Sequence, residues 1–154
     1  MRSNLAQADQ NEARDVKRQF LSFSLGDQAY AIAIEHVREI TGMQRFTPVP
    51  DVPSFVRGVI NLRGTIVPIL EIRQRLGLPT YDYTNRSCIV VVDLDGAPIG
   101  LLVDSVQEVA NIASSQIDHP PRFDTSPSAK FLEGIGKVGE DIRFILNIDA
   151  IARH

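Results

Sequence analysis

The chain has 154 residues, 44% of them hydrophobic, which suffices for one compact domain or two small subdomains sharing a core. A formal net charge of −3 and the lack of tryptophan argue against a basic, aromatic groove for single-stranded nucleic acid. The single cysteine, Cys88, excludes an intrachain disulfide, and no apolar run approaches the ~20 residues that span a bilayer. The polar N-terminus lacks an apolar signal-peptide core, so the expected address is the reducing cytoplasm.

Residues 1–17 are rich in Asn, Gln, Asp, Arg and Ala and are expected to form a disordered tail ahead of a domain over 18–154. Order is expected to begin at Gln19. Leu21, Phe23 and Leu25 alternate with serines; after Gly26-Asp27, Tyr30, Ile32 and Ile34 alternate with alanines. Period two on both sides of a Gly-first turn predicts a hairpin. A short turn near Ile34 leads to a strand from Val37 to Thr41, which carries Arg38 and Glu39. Pro48, Pro50 and Pro53 make the next stretch an irregular connection.

The densest stretch is Arg57 to Leu76, RGVINLRGTIVPILEIRQRL. Val59, Ile60 and Leu62 lead to Arg63-Gly64, and Ile66, Val67, Ile69 and Leu70 follow. This predicts strand, turn, strand, then a short helix from Glu71 closed by Gly77 and Pro79. Pro68 lacks an N–H, so its strand is expected at an edge or at a bulge. Gly58 and Gly64 suggest positive φ or a close backbone approach.

Ile89 to Val92 reads as a strand buried on both faces, Asp95-Gly96 as a hairpin turn and Ile99 to Val103 as the return. Val106 to Ile112 is ambiguous in spacing, but its β-rich neighbours favour a strand. A loop runs from His119 to Ala129. Phe131 to Val138 and Ile142 to Ile148 are expected to form a last hairpin around Gly139-Glu140-Asp141, and a terminal helical turn is expected near Asp149. Nine or ten short strands with brief helices indicate barrels or sandwiches. The loop near residues 42–55 is expected to divide the strands into two small barrels.

Catalytic patterns are missing. Gly134-Ile-Gly-Lys-Val-Gly139 has the spacing of a dinucleotide fingerprint, but an alternating strand follows it instead of a helix. His36, His119 and His154 lack metal-ligand spacing, and no nucleophile has a paired base. A binding or scaffolding module with no cofactor and no metal is the expectation.

Arg57-Gly58-Val59-Ile60-Asn61-Leu62-Arg63-Gly64, followed by Ile66-Val67-Pro68-Ile69, resembles the CheW family of chemotaxis coupling proteins. Tyr30-Ala31-Ile32, Val37-Arg38-Glu39-Ile40, Ile99 to Val106 and the closing Gly134 to Ile148 segment are similar to further family stretches, so the resemblance covers Gln19 to the C-terminus. Glu71-Ile72-Arg73 stands where Asp-Leu-Arg is usual. This sequence carries no receiver domain after this segment, so the expectation is a coupling protein of the CheW kind and not one of the fused proteins called CheV. The resemblance implies a mainly β fold of two intertwined five-stranded SH3-like barrels sharing a hydrophobic core, with a few short helices. It implies a non-catalytic scaffold between the cytoplasmic tips of chemoreceptors and the regulatory domain of the CheA histidine kinase, in arrays at the inner face of the membrane. Receptor contact is carried over to Val37, Glu39, Gly58, Asn61 and Arg63, with Ile89 extending the groove. Gly58 would admit the receptor backbone. Arg63 would bridge to Glu39 or to a receptor carboxylate, the alternative being a purely internal tie. Phe123 would anchor the kinase, the alternative being a lid over the core. Two rival functions remain: the same adaptor in a twitching-motility or second-messenger pathway, and an oligonucleotide-binding barrel.

Overall fold

The structure, a computed structural model, describes residues 15–80, 82–119 and 127–153. The first hairpin is β1 (Lys17–Leu25) and β2 (Gln28–Ala33). A 3-10 turn, Ile34–His36, leads to β3 (Val37–Gly42). After an irregular loop come β4 (Val56–Leu62), β5 (Thr65–Glu71) and helix α1 (Ile72–Arg75). The second half holds β6 (Cys88–Leu94), β7 (Ala97–Val103) and β8 (Ser105–Ala113). It continues through the short β9 (Ile117–Asp118), then β10 (Leu132–Val138), β11 (Asp141–Leu146) and helix α2 (Ile148–Ala152).

Three of the two-residue turns fall where the sequence places them, and the last is one residue tighter than expected because Asp141 already pairs with Val138. Arg63-Gly64 and Asp95-Gly96 have positive φ at both central residues, the type I′ pattern whose twist suits the flanking strands. The other two hairpins put a glycine, Gly26 or Gly139, at the first central position. The folded chain starts earlier than expected. Asp15 accepts from Ser115 N at 2.8 Å, Ser114 N donates to Val16 O, and β1 begins at Lys17, so residues 15–17 belong to the fold.

Two sheets result, in the orders β8-β1-β2-β11-β10-β9 and β3-β6-β7-β5-β4. Each is antiparallel except at one parallel junction, β2 with β11 and β5 with β7. Both curl toward closure. A Cβ on Gly136 of β10 would lie 2.9 Å from Ile112 Cδ1 of β8, although these strands stand far apart in the sheet order. In the five-stranded sheet, Arg63 at the β4–β5 turn reaches Glu39 on the opposite edge strand. The loop over 42–55 does not divide the strands. The chain changes sheets between β2 and β3, through the 3-10 turn, and between β7 and β8, at Asp104. Pro68 is not at an edge: β5 lies between β4 and β7, and its ladder to β7 runs from Ile69 to Glu71, just past the missing donor.

The swap has an origin visible in the sequence. Phe55, Gly58, Ile69, Leu70 and Ile72 recur as Phe131, Gly134, Ile145, Leu146 and Ile148, each 76 residues on. Val37-Arg38-Glu39-Ile40 recurs as Val106-Gln107-Glu108-Val109, 69 residues on. The chain is a tandem repeat in which each unit lends its first hairpin to the other unit's sheet. β1–β2 therefore sits with β8, β10 and β11, and β6–β7 sits with β3, β4 and β5.

This arrangement explains strands buried on both faces. Val90, Val92, Leu101 and Val103 meet Leu21, Phe23, Leu25 and Ile32 in a core shared by the two sheets. The alternate residues Ile89, Val91 and Leu102 fill the interior of the five-stranded sheet with Ile60, Val67 and Ile69. Phe20, Ala31, Ala33, Ile112 and Ile145 fill the other interior. Each large side chain fully buried in these cores contributes about 1.5–3 kcal/mol.

Candidate docking site

The β4–β5 hairpin and the edge strand β3 build an exposed polar constellation on the five-stranded sheet. Arg63 adopts φ 52°, an uncommon conformation for a side chain with a Cβ, and the turn is tied by Asn61 Oδ1 accepting from Gly64 N at 2.8 Å. The Arg63 side chain is 73% exposed, and its Nη2 donates to both Glu39 oxygens, at 2.7 and 2.5 Å. A β-bulge between Val37 and Glu39 turns Arg38 away to Asp93, at 2.9 Å. The ion pair roofs a cleft of about 130 Å³, with Leu62, Thr65, Val67 and Pro98 among its lining. Exposed aliphatic side chains, Ile40 on β3 and Ile66 on β5, lie on strands carrying this constellation, and Met43, Val49 and Val52 stand exposed on the loop before β4. A salt bridge of this exposure adds about 1 kcal/mol or less. Its arginine can exchange partners for a carboxylate on an approaching surface at little cost to the fold.

A different polar cluster lies where the chain changes sheets. Glu71 and Arg73, both 1% exposed, pair at 3.3 Å, and Arg73 Nε lies 3.4 Å from Asp104 Oδ1. Asp104 also accepts from Gly26 N at 2.6 Å, Tyr83 OH donates to Glu71, and the Arg73 guanidinium stacks 4.2 Å from the Tyr83 ring centre. Burial pushes the Glu71 carboxyl above the usual carboxylate range, and Arg73 and Arg57 offset part of that. The cluster ties α1 to both sheets. Among the described residues no group of three or more His, Cys, Asp or Glu could hold a metal ion, and no helix is long and apolar enough to cross a membrane.

The family model described as "CheW-like domain" matches residues 19–154. The chain belongs to the CheW-like domain family. The chemotaxis protein CheW of Klebsiella aerogenes is 31% identical over 149 residues, covering 97% of this chain and 90% of the relative. The CheW of Thermotoga maritima is 35% identical over 130 residues, covering 84% and 82%. The crystal structure of the scaffolding protein TtCheW from Thermoanaerobacter tengcongensis superposes with a TM-score of 0.80 at 32% identity, over 86% of this chain and 90% of that one.

On this CheW-like fold, Glu39, Asn61 and Arg63 gather at one turn, and half-buried Val37 packs against the rim of the shared core. Gly58 and Ile89 lie deeper. The backbone that comes close at Gly58 (φ 146°) is the chain's own, since a Cβ there would meet Thr47 O at 2.4 Å. Ile89 is 0% exposed and packs inside the five-stranded sheet, beneath the surface rather than on it. Phe123 lies outside the described residues. Ile40 and Ile66 escaped sequence reasoning because an aliphatic residue in an alternating strand reads as core.

Proposed function

We propose that this chain is a non-catalytic scaffold that couples the cytoplasmic tips of chemoreceptors to the CheA histidine kinase, in arrays at the inner face of the membrane. Family membership supports the class, and the observation that carries the receptor face is the exposed Arg63–Glu39 pair on a hairpin turn. An amphipathic receptor helix would lay its apolar side along Val37 and Ile40 and offer a carboxylate to Arg63. Asn61 and Gly58 shape the turn and the loop beside it, and Ile89 supports the strand from behind. Phe123 is assigned to the kinase contact, where an aromatic anchor commonly contributes ~2 kcal/mol or more.

The test is reconstitution. Receptor fragments and kinase should show receptor-dependent control of autophosphorylation only when this protein is added. Normal control without it, or binding to neither partner, would refute the scaffold reading. Residues 2–14 are assigned no part in folding, because Leu5 is their only large apolar residue. Deleting them should leave the thermal midpoint within ~5 °C, on the order of 1 kcal/mol for a domain of this size.

A further inference from the structure

Arg75 ends α1, and the receptor face makes no use of it. Its guanidinium lies 4.2 Å from the centre of the Phe55 ring and 4.5 Å from that of Phe131. The same head group donates from Nε to Ile151 O at 3.0 Å, and from Nη2 to Ala150 O at 3.3 Å and to Arg153 O. These carbonyls belong to the last turn of α2 and the residue after it, where backbone acceptors otherwise lack intrahelical donors.

The repeat makes this contact unusual. Phe55 and Phe131 are equivalent residues, each standing just before the hairpin that its own unit keeps, β4–β5 or β10–β11. The equivalent of Arg75 is Ile151. One cation from the first unit therefore serves both phenylalanines and caps the terminal helix of the second unit. A planar guanidinium can stack on two ring faces while its edge donates in plane, a combination that a lysine cannot supply. The shared apolar core joins the sheets but is non-directional. The Arg75 contacts are directional.

We propose that Arg75 is a positioning residue that fixes the relative orientation of the two repeat units, so that occupation of the Arg63 face is transmitted to the other sheet. The functional half of this rests on the scaffold reading above. The structural half rests on the sandwich alone. Coupling two partners through one body needs a defined relation between their sites. The sandwich supplies it at the entries of both hairpins.

Arg75→Met keeps the apolar stem and removes the cation and the donors. Arg75→Lys keeps the cation and loses the fork. Spin labels placed in a Cys88→Ala background at Ala97 and Glu140, exposed positions on different sheets, report the distance between the two sheets, each built around the hairpin that one unit keeps. A narrow distribution is expected for the parent, a broad or shifted one for Arg75→Met, and an intermediate one for Arg75→Lys. In unlabelled protein, Arg75→Met should lower receptor control of the kinase about tenfold, within the usual range of coupling factors. Its separate affinity for a receptor fragment should be unchanged. An unchanged distance distribution overturns the proposal whatever happens to the kinase. So does a loss of control that only follows a loss of folded protein or of receptor affinity. If Arg75→Met does not fold, Phe131→Leu strips one ring from the sandwich, keeps the hydrogen bonds and carries the same expectation. If the parent itself fails to couple receptor to kinase, the scaffold reading falls, and the distance measurement alone then decides the role of Arg75.

Discussion

At Arg63, two demands compete. The turn needs positive φ, which glycine adopts freely and a residue with a Cβ adopts at a cost of about 1 kcal/mol. The side chain it carries is largely exposed and contributes little to the fold. A strained residue kept without stabilising benefit points to use elsewhere. Arg63→Gly should therefore match or slightly exceed the parent in urea midpoint, and Arg63→Ala should fall below Arg63→Gly by about 0.5–1 kcal/mol. Both should lose receptor binding by a similar factor. A midpoint for Arg63→Gly well below the parent would assign the guanidinium a structural role. Only Nη2 engages Glu39, so Arg63→Lys should preserve the internal ion pair and still bind the receptor less well where a forked contact is formed. The turn at Arg63-Gly64 was legible from its glycine, and the Arg63–Glu39 bridge through the family resemblance. Gly58 was legible as a close approach, but not which backbone approaches it.

At the scale of elements, hairpins were the most legible feature. Each turn needs positive φ, and glycine marks where that is possible. Strand β8 resolved as a strand because its alternation puts Ala110 and Ile112 into the interior of the six-stranded sheet. Strand β9 was not legible, since two residues carry no period. It exists because Gly134 leaves room: a Cβ there would lie 2.7 Å from Ile117 Cγ2 and 3.1 Å from Asp118 O. Gly134→Ala should push β9 off its neighbour and cost about 1–3 kcal/mol, as overpacking usually does. Hydrogen exchange at Ile117 and Asp118 should rise well before that of β10–β11. Unchanged protection at both residues would show that β9 tolerates the methyl.

At the scale of the whole molecule, the swap between repeat units was hidden from local reasoning. The apolar alternation of β2 continues into Ile34, and only a three-residue 3-10 turn separates it from β3, so no composition change marks the crossing. The second crossing, between β7 and β8, is held by the buried cluster of Glu71, Arg73 and Asp104, which ties the end of β5, α1, the β7–β8 junction and the first hairpin turn together. Burial raises the Glu71 pKa, so the folded state holds that proton more tightly than the unfolded chain does. The contribution of this group is then complete below the ordinary carboxylate range and fades as pH rises through its elevated folded value. Glu71→Gln keeps an acceptor for Tyr83 and removes the ionisation. The stability of the variant relative to the parent should therefore improve as pH is raised across the weakly acidic range, read from urea midpoints of both proteins in matched buffers. A difference that stays flat across that range, or that turns against the variant, would mean that Arg73 fully compensates the buried charge and that the crossing is held by an ion pair with no desolvation penalty outstanding.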